Sequence, residues 1–422
     1  MLLTGGNLHA QATASANIQG TVTDKTQATI AGAQVTARNK GTDMVRTTTT
    51  SDAGYYRFEL LPIGFYIVTV TKTGFATNTE TVEVQVGQTI TVNAELQVGA
   101  TSQVIEVTSE APLMEQERTS VSQNITPSQV EQLPLLGRDV ANLAYLAPGV
   151  KAADSYDPTK ARYAILSVNG SGGRNVNVTV NGIDNKDNTV GGPVMQLPLE
   201  AVQEFQISTQ RFSAQNGRSE GAAINMITKQ GTNDYHGSFF SYFRESALDT
   251  DQKVPNGDGT YILQHPDYSR QFFGGSIGGP IAKNKLFGFF ALERERESQG
   301  LEETTSAYNE LVLAQTAGLA AQPATVIPRP FYEYRYNGRM DWTINNNNNA
   351  YISYTSQANN SLNDQSSGTA DLTNGNYTIN HLQIANLTVN SILPNNAVNQ
   401  FTFGFQYWNN LIDSHILSLI HI

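Results

Sequence analysis

From Tyr332 to Ile344 the chain alternates with a period of two. Tyr332, Tyr334, Tyr336, Gly338, Met340, Trp342 and Ile344 stand against Glu333, Arg335, Asn337, Arg339, Asp341 and Thr343. This is the pattern of a strand with one apolar and one polar face. In a membrane the first face meets lipid and the second meets water. A soluble sandwich alternates too, so the connections decide. Strands placed near 235–245, 269–281, 285–296, 332–344, 349–358, 377–392 and 397–409 leave links that run long, short, long, short, long, short. Tight turns at one end and long loops at the other are the habit of barrels in bacterial outer membranes. The last strand repeats the theme, with Phe401, Phe403, Phe405 and Tyr407 against Thr402, Gly404, Gln406 and Trp408. No run approaches the roughly eighteen apolar residues of a membrane helix.

Upstream, Ser167 to Gly231 reads as a compact unit of short strands. Val176, Val178 and Val180 alternate with Asn177, Thr179 and Asn181, and Asn181-Gly182 supplies the positive-φ pair of a tight hairpin turn. The polar run Asp184 to Asn188 is expected as a loop at its tip. A second strand follows at Glu204 to Thr209. Ser128 to Gly137 and Arg138 to Ala147 read as two short helical pieces, ended by Pro134 and by Pro148-Gly149. From Asn17 to Val98, six short alternating strands separated by Gly, Asp and Pro turns suit a small β-sandwich. Phe58, Leu60, Tyr66, Val68 and Val70 are its expected core, and Tyr55 and Tyr56 are placed in a core strand.

Three separated blocks carry a family resemblance: Val180-Asn181-Gly182-Ile183-Asp184, the run LPLEAVQEFQI from Leu197, and FSAQNGRSEGAAINMITKQGTNDYHGS from Phe212. They resemble the plug of a TonB-dependent outer-membrane receptor. QFFGGSIGGPI and NKLFGFFALERE are similar to the opening barrel strands of the same family. GTVTD, AGAQVTAR and TSDAGYYRFELLPIGFYIVTVTKTGF are similar to a carboxypeptidase-regulatory-like, transthyretin-like domain, an accessory module sometimes classed with carbohydrate-binding folds. The combination is that of the Oar-like type.

The resemblance implies a mainly β chain: an N-terminal β-sandwich, a mixed α/β plug, then the first antiparallel strands of an incomplete transmembrane β-barrel. The expected divisions are a signal-peptide remnant at 1–12, the sandwich at 17–98, a linker at 99–108, the plug at 109–231, the partial barrel at 232–410 and an artefactual tail at 411–422. Seven strands are too few to close a plugged barrel, which takes roughly 22. Leu417 to Ile422 also resembles a translated library adapter, so the chain is expected to be a truncated fragment.

Within the linker, Val104, Ile105, Glu106, Val107 and Thr108 resemble a TonB box, the extended segment that an inner-membrane partner recruits as an added strand. The other reading of the same residues is the first strand of the plug. Arg138, Arg174, Arg211 and Arg218 recur among Asp184, Asp187, Glu200, Glu204 and Glu220, as charges that let a plug shift against a barrel wall. Asp184, Asp187, Arg174, Arg218 and Glu220 are the candidate plug residues.

Other chemistries find little support. With 37 acidic against 26 basic residues, a net charge of −11 and no basic run, a nucleic-acid surface is not expected. The absence of cysteine removes disulfides and thiolate metal sites. The six histidines form no H-E-x-x-H pair, Gly274 to Gly278 spells G-x-S-x-G but lies within the strand placed at 269–281 and is not a nucleophile elbow, and no phosphate loop is present. No enzyme, cofactor or metal is expected. The expected location is the outer membrane of a Gram-negative-type bacterium, with outer-membrane lipid and the TonB inner-membrane complex as partners. By resemblance the function is energised uptake of a scarce ligand, whether siderophore, glycan or peptide. The rival reading is a surface adhesin or glycan-binding protein without active transport.

Overall fold

The computed structural model describes residues 15–99, 104–108, 121–133, 135–153, 162–212, 219–255, 261–264, 267–366, 372, 375–394 and 397–414. The expected signal remnant at 1–12, Arg218 and residues 415–422 lie outside the described residues, whereas 411–414, expected to open an artefactual tail, continue the last strand.

The first unit comprises β1 (Ala16–Asp24), β2 (Gln34–Asn39), β3 (Val45–Thr49), β4 (Tyr55–Leu61), β5 (Gly64–Thr71), β6 (Thr77–Val84), β7 (Thr89–Thr91), β8 (Ala94–Leu96) and β9 (Val104–Thr108). One sheet has the order β4-β1-β7 with β8 also on β1, and the other has the order β3-β2-β5-β6-β9. Their inward residues, among them Ile18, Val22, Tyr56, Phe58, Leu61, Tyr66, Val68 and Val70, form one apolar core. The two buried phenols are satisfied by backbone: Tyr56 donates to Val92 O at 2.7 Å and Tyr66 to Pro62 O at 2.8 Å. Tyr55, expected inside, lies on the opposite face of β4 and is exposed, because successive side chains of a strand point to opposite faces.

Two features depart from simple alternation. The segment Gln88 to Leu96 breaks into β7 and β8, because Asn93 Oδ1 accepts the Thr21 N–H at 2.9 Å and takes the place of a ladder carbonyl. Gly20 is needed beside this break, since a Cβ there would sit 1.8 Å from Val92 O. β3, Val-Arg-Thr-Thr-Thr, has no apolar alternation, and its inward residue is the buried Arg46.

The plug comprises β10 (Val121–Ile125), α1 (Pro127–Gln132), 3-10 turns at Leu136–Arg138 and Val140–Leu146, β11 (Val150–Ala152), β12 (Leu166–Val168), β13 (Val176–Val180), β14 (Ile183–Asp184), β15 (Val202–Gln210) and β16 (Ala222–Thr228). Its main sheet has the order β10-β15-β16-β13-β14, with β13 and β16 parallel. Thr126 and Gln129 close a capping box at α1, where Pro127 loses nothing by lacking an N–H. The second expected helical piece is instead the 3-10 turn, started by Asp139, whose side chain accepts the Ala141 N–H at 2.9 Å. Asn181 and Gly182, at φ 49° and 81°, make the hairpin turn between β13 and β14.

The third unit is a seven-stranded antiparallel sheet. Its strands are β17 (His236–Glu245), β20 (Tyr268–Ala282), β21 (Leu286–Glu302), β22 (Val326–Asn345), β23 (Asn348–Leu362), β24 (Asn376–Ile392) and β25 (Val398–Ser414), paired in chain order. The long links carry structure that alternation does not signal: a hairpin of β18 (Gln252–Pro255) and β19 (Tyr261–Gln264), and the helix α2 (Thr305–Thr316) capped by Thr304. The alternation of β22 holds throughout. Tyr334 and Trp342 are 40% and 52% exposed on the outer face, while Glu333 and Arg335 are 2% and 3% exposed on the inner one. The inner face was expected to meet water. It meets the plug instead, whose core takes in Leu382 and Ile384 of β24. No helix among the described residues is long and apolar enough to cross a membrane.

Candidate functional site: the plug, its seat and the box segment

The sandwich sits at the short-turn end of the sheet. Asn233 N donates to Gly41 O at 2.8 Å, and Asn233 Nδ2 donates to Asn284 Oδ1 in the first short turn at 2.7 Å. β13 ends at this same end of the plug, where Asn181 Nδ2 reaches Ser353 Oγ at 3.1 Å and Arg339 Nη1 donates to Thr228 O at 2.8 Å. The opposite end of the plug, around Gly173–Asn175, therefore faces the long loops.

The seat between plug and wall is made of charges. Leu-Glu-Arg-Glu-Arg-Glu from Leu292 puts Glu293, Glu295 and Glu297 on the inner face of β21, because they are spaced by two. Arg138 of the plug donates through Nε to Glu293 Oε2 at 3.0 Å, and Arg335 of the wall holds Glu293 Oε1 at 2.8 Å. Arg162 of the plug reaches Glu297 Oε1 at 2.6 Å, and Arg270 and Tyr268 of the wall reach Glu297 Oε2 at 3.2 and 3.1 Å. Glu293 and Glu297 thus each have one oxygen for the plug and one for their own wall, whereas Glu295 pairs with Arg270 and Arg335 of the wall. Arg335 also pairs with Glu333 and with Glu295. Gln357, hydrogen-bonded to Glu333, accepts the Gln196 N–H at 2.8 Å and donates to Tyr163 Oη at 3.1 Å. The Arg138 and Arg162 guanidiniums also lie over Phe240 and Phe331, 4.0 and 4.1 Å from the ring centroids. Beside the seat, burial pushes the Asp139 carboxyl above the usual carboxylate range, opposed by backbone N–H bonds from Ala141 and Ala164.

The residues singled out from the sequence are not gathered in one place. Asp184 ends β14 and accepts the Lys186 N–H at 3.2 Å. Asp187 is buried and folds its own loop, its Oδ1 accepting from Thr189 N at 2.8 Å and Val190 N at 3.0 Å. The run Asp184 to Asn188 is therefore not the hairpin tip, which is Asn181-Gly182. It is an internal loop, with Asn185 bonding both ways to the backbone of Met195. Arg174 is exposed and lines a cavity of about 730 Å³ with Lys151, Ser171 and Asn175 at the long-loop end. Glu220 N donates to Asn175 O at 3.0 Å. Glu204 is buried, and its carboxylate accepts the Val86 N–H of the sandwich at 2.8 Å. Arg162, Glu293, Glu297 and Arg335 were absent from the expected set. Their sequence signal was the i, i+2, i+4 spacing of acids on β21 and the inward parity of Arg335 on β22.

Val104 to Thr108 forms β9, and its placement overturns the plug-strand reading. It pairs in parallel with β6, Thr77 opposite Val104 through Thr81 opposite Thr108, and so belongs to the sandwich sheet. A five-residue V-x-x-V-x segment fits any open edge, and the edge of β6 is the one it meets.

Comparison with known proteins agrees with this architecture. Residues 17–97 match the carboxypeptidase regulatory-like domain, and residues 227–331 match an outer membrane beta barrel domain. The TonB-dependent transporter Oar of Myxococcus xanthus is 31% identical over 301 residues, which are 69% of this chain and 27% of that protein. The chain belongs to the TonB-dependent outer-membrane receptors. The alignment with the Myxococcus transporter spans about a quarter of that relative's length. Among solved structures, the outer membrane transporter YddB of Escherichia coli is similar in fold, with a TM-score of 0.54 at 12% identity, over 70% of this chain and 40% of that one. The outer membrane is accordingly the location of this receptor-family chain, and the aromatic outer face of its sheet is the lipid-facing one.

Proposed function

We propose that the chain acts in energised uptake across the outer membrane, with the plug moved by the TonB complex of the inner membrane. The observation that carries this reading is the chemistry of the seat. The plug is held on its wall by ion pairs and hydrogen bonds at Arg138, Arg162, Gln196 and Asn181, and Glu293 and Glu297 keep a second cation of their own wall when the plug withdraws. Moving such a plug leaves no seat carboxylate without a cation, and the apolar wall surface it uncovers includes Leu382 and Ile384. The ligand enters from the long-loop side, where Lys151 and Arg174 line the plug's cavity. Siderophores, glycans and peptides are the classes to be screened. Val104 to Thr108 is the segment on which the partner acts.

The test is Val107→Pro in cells producing the receptor. Proline removes a backbone donor from the segment that the partner must pair with. Uptake across a panel of ferric siderophores, oligosaccharides and peptides is expected to fall to the level of a TonB deletion, while binding of the same probe at the surface persists. Surface binding of a probe with no TonB-dependent uptake of any probe in the panel would instead identify the surface-adhesin function.

A further inference from the structure

The larger sheet of the sandwich has two edges, and they are finished differently. At one edge β3 turns Arg46 inward, where it is buried and its guanidinium has no hydrogen-bond partner among the described residues. An inward-pointing charge is one of the devices that keep an edge strand from pairing with a foreign strand. At the other edge lies β9, whose sequence Val-Ile-Glu-Val-Thr has no proline, no basic residue and a single charge. β6 takes up one side of its backbone. Successive residues of a strand offer their amides and carbonyls alternately to the two sides. The other side of β9 is paired with no strand among the described residues.

From this contrast we propose that the box segment is recruited in place. The energy-coupling partner adds an extended strand to the outer edge of β9 and lengthens the sheet to β3-β2-β5-β6-β9-partner. This rests on the TonB-dependent reading above. A partner that stripped β9 from β6 would exchange one backbone ladder for another. Addition to the open edge keeps the first ladder and forms a second. The sandwich then becomes part of the coupling. Just beyond β6, Val86 receives the Glu204 carboxylate on its N–H at 2.8 Å, and its carbonyl accepts from Gln206 at 3.0 Å and Asn124 at 3.3 Å. A pull on the lengthened sheet thus reaches the plug's strand β15 through hydrogen bonds.

The chain has no cysteine, so a bridge can be placed without background. Asn78→Cys with Ile105→Cys, which are Cα partners, and Thr79→Cys with Glu106→Cys, which are the next such pair, are each joined by a short bis-maleimide in the full chain. Binding of the purified periplasmic domain of TonB is then measured before and after bridging. Unchanged affinity in either bridged pair is the expected result. Loss of binding in both pairs, with the unbridged chains still binding, overturns recruitment in place and leaves the TonB-dependent reading intact. Absence of binding to the unmodified chain overturns that reading, and this inference with it.

Discussion

The sandwich and the seven-stranded sheet are both antiparallel-rich β structures built largely on alternation, and they turn it in opposite directions. In the sandwich the apolar set points in, and Ile18, Leu61, Tyr66 and Val84 make a closed core. In the sheet Tyr332, Tyr334, Trp342, Phe401 and Phe405 point out, and the inner face carries, beside buried Phe287 and Phe289, the residues Glu293, Glu295, Glu297, Glu333, Arg335 and Asn337, all buried. The same periodicity thus serves two solvents. What distinguishes them in the sequence is the length of the alternation and the rhythm of the connections, since both faces of the sheet are covered, one by lipid and one by the plug. The stabilising chemistry differs accordingly: apolar burial in the first, paired charges in the second.

Substitutions can break or sharpen this contrast. The largest effect is expected from Arg335→Leu, which leaves Glu293, Glu295 and Glu333 without their shared cation. Removing one partner of a buried ionic cluster costs about 3–5 kcal/mol, read as loss of protease-resistant protein in the outer membrane. If Arg335→Leu were silent, the seat would not be the organising feature of the inner face.

In the sandwich the corresponding change is Leu61→Ala, expected to cost about 2–5 kcal/mol through lost burial and the cavity left behind. We expect residues 17–98 to fold alone as a monomer, and a urea melt of that piece measures the difference. An unfolded circular dichroism spectrum for the unsubstituted piece would show that its core depends on the rest of the chain.

The outward face gives the third test. Phe290→Lys lies on β21 opposite Gly338 of β22, farther from the short turn than Ile344. A basic residue at the bilayer midplane costs about 2–4 kcal/mol, falling to about 0–1 kcal/mol near the interface. Ile344→Lys, beside the short turn at the end of β22, should therefore be milder, and equal effects on membrane assembly would contradict the depth assigned to these strands.

The smallest effect is expected from Tyr56→Phe. It removes only the hydroxyl that donates to Val92 O, a change on the order of 1 kcal/mol. It would show by urea melt of residues 17–98 how much the break between β7 and β8 relies on that bond.

Much of the architecture was legible because alternation is a local property. The seven strands of the sheet fall where Tyr332 to Ile344 and its neighbours place them, lengthened at the long-loop end, and Asn181-Gly182 turns where its positive φ requires. β3 escaped notice because its inward residue is an arginine, and α2 because none of its residues is buried. The seat was only half legible. Arg138 stood out among the plug charges, whereas Glu293 fell inside the strand placed at 285–296 and Glu297 just beyond it, and nothing in β21 itself states that its polar side faces protein and not water.

By itself, then, the sequence determined which residues share a face, where the chain turns and which segments are long enough to pair, since each depends on neighbours a few positions apart. Only the tertiary structure decided what each face meets. It set Arg138 and Arg162 on the wall's glutamates, folded Asp187 into a buried loop and laid Val104 to Thr108 on the edge of β6. Those outcomes depend on contacts between residues far apart in the chain, and a charge, a polar loop or a five-residue strand satisfies itself with whichever partner the fold brings within reach.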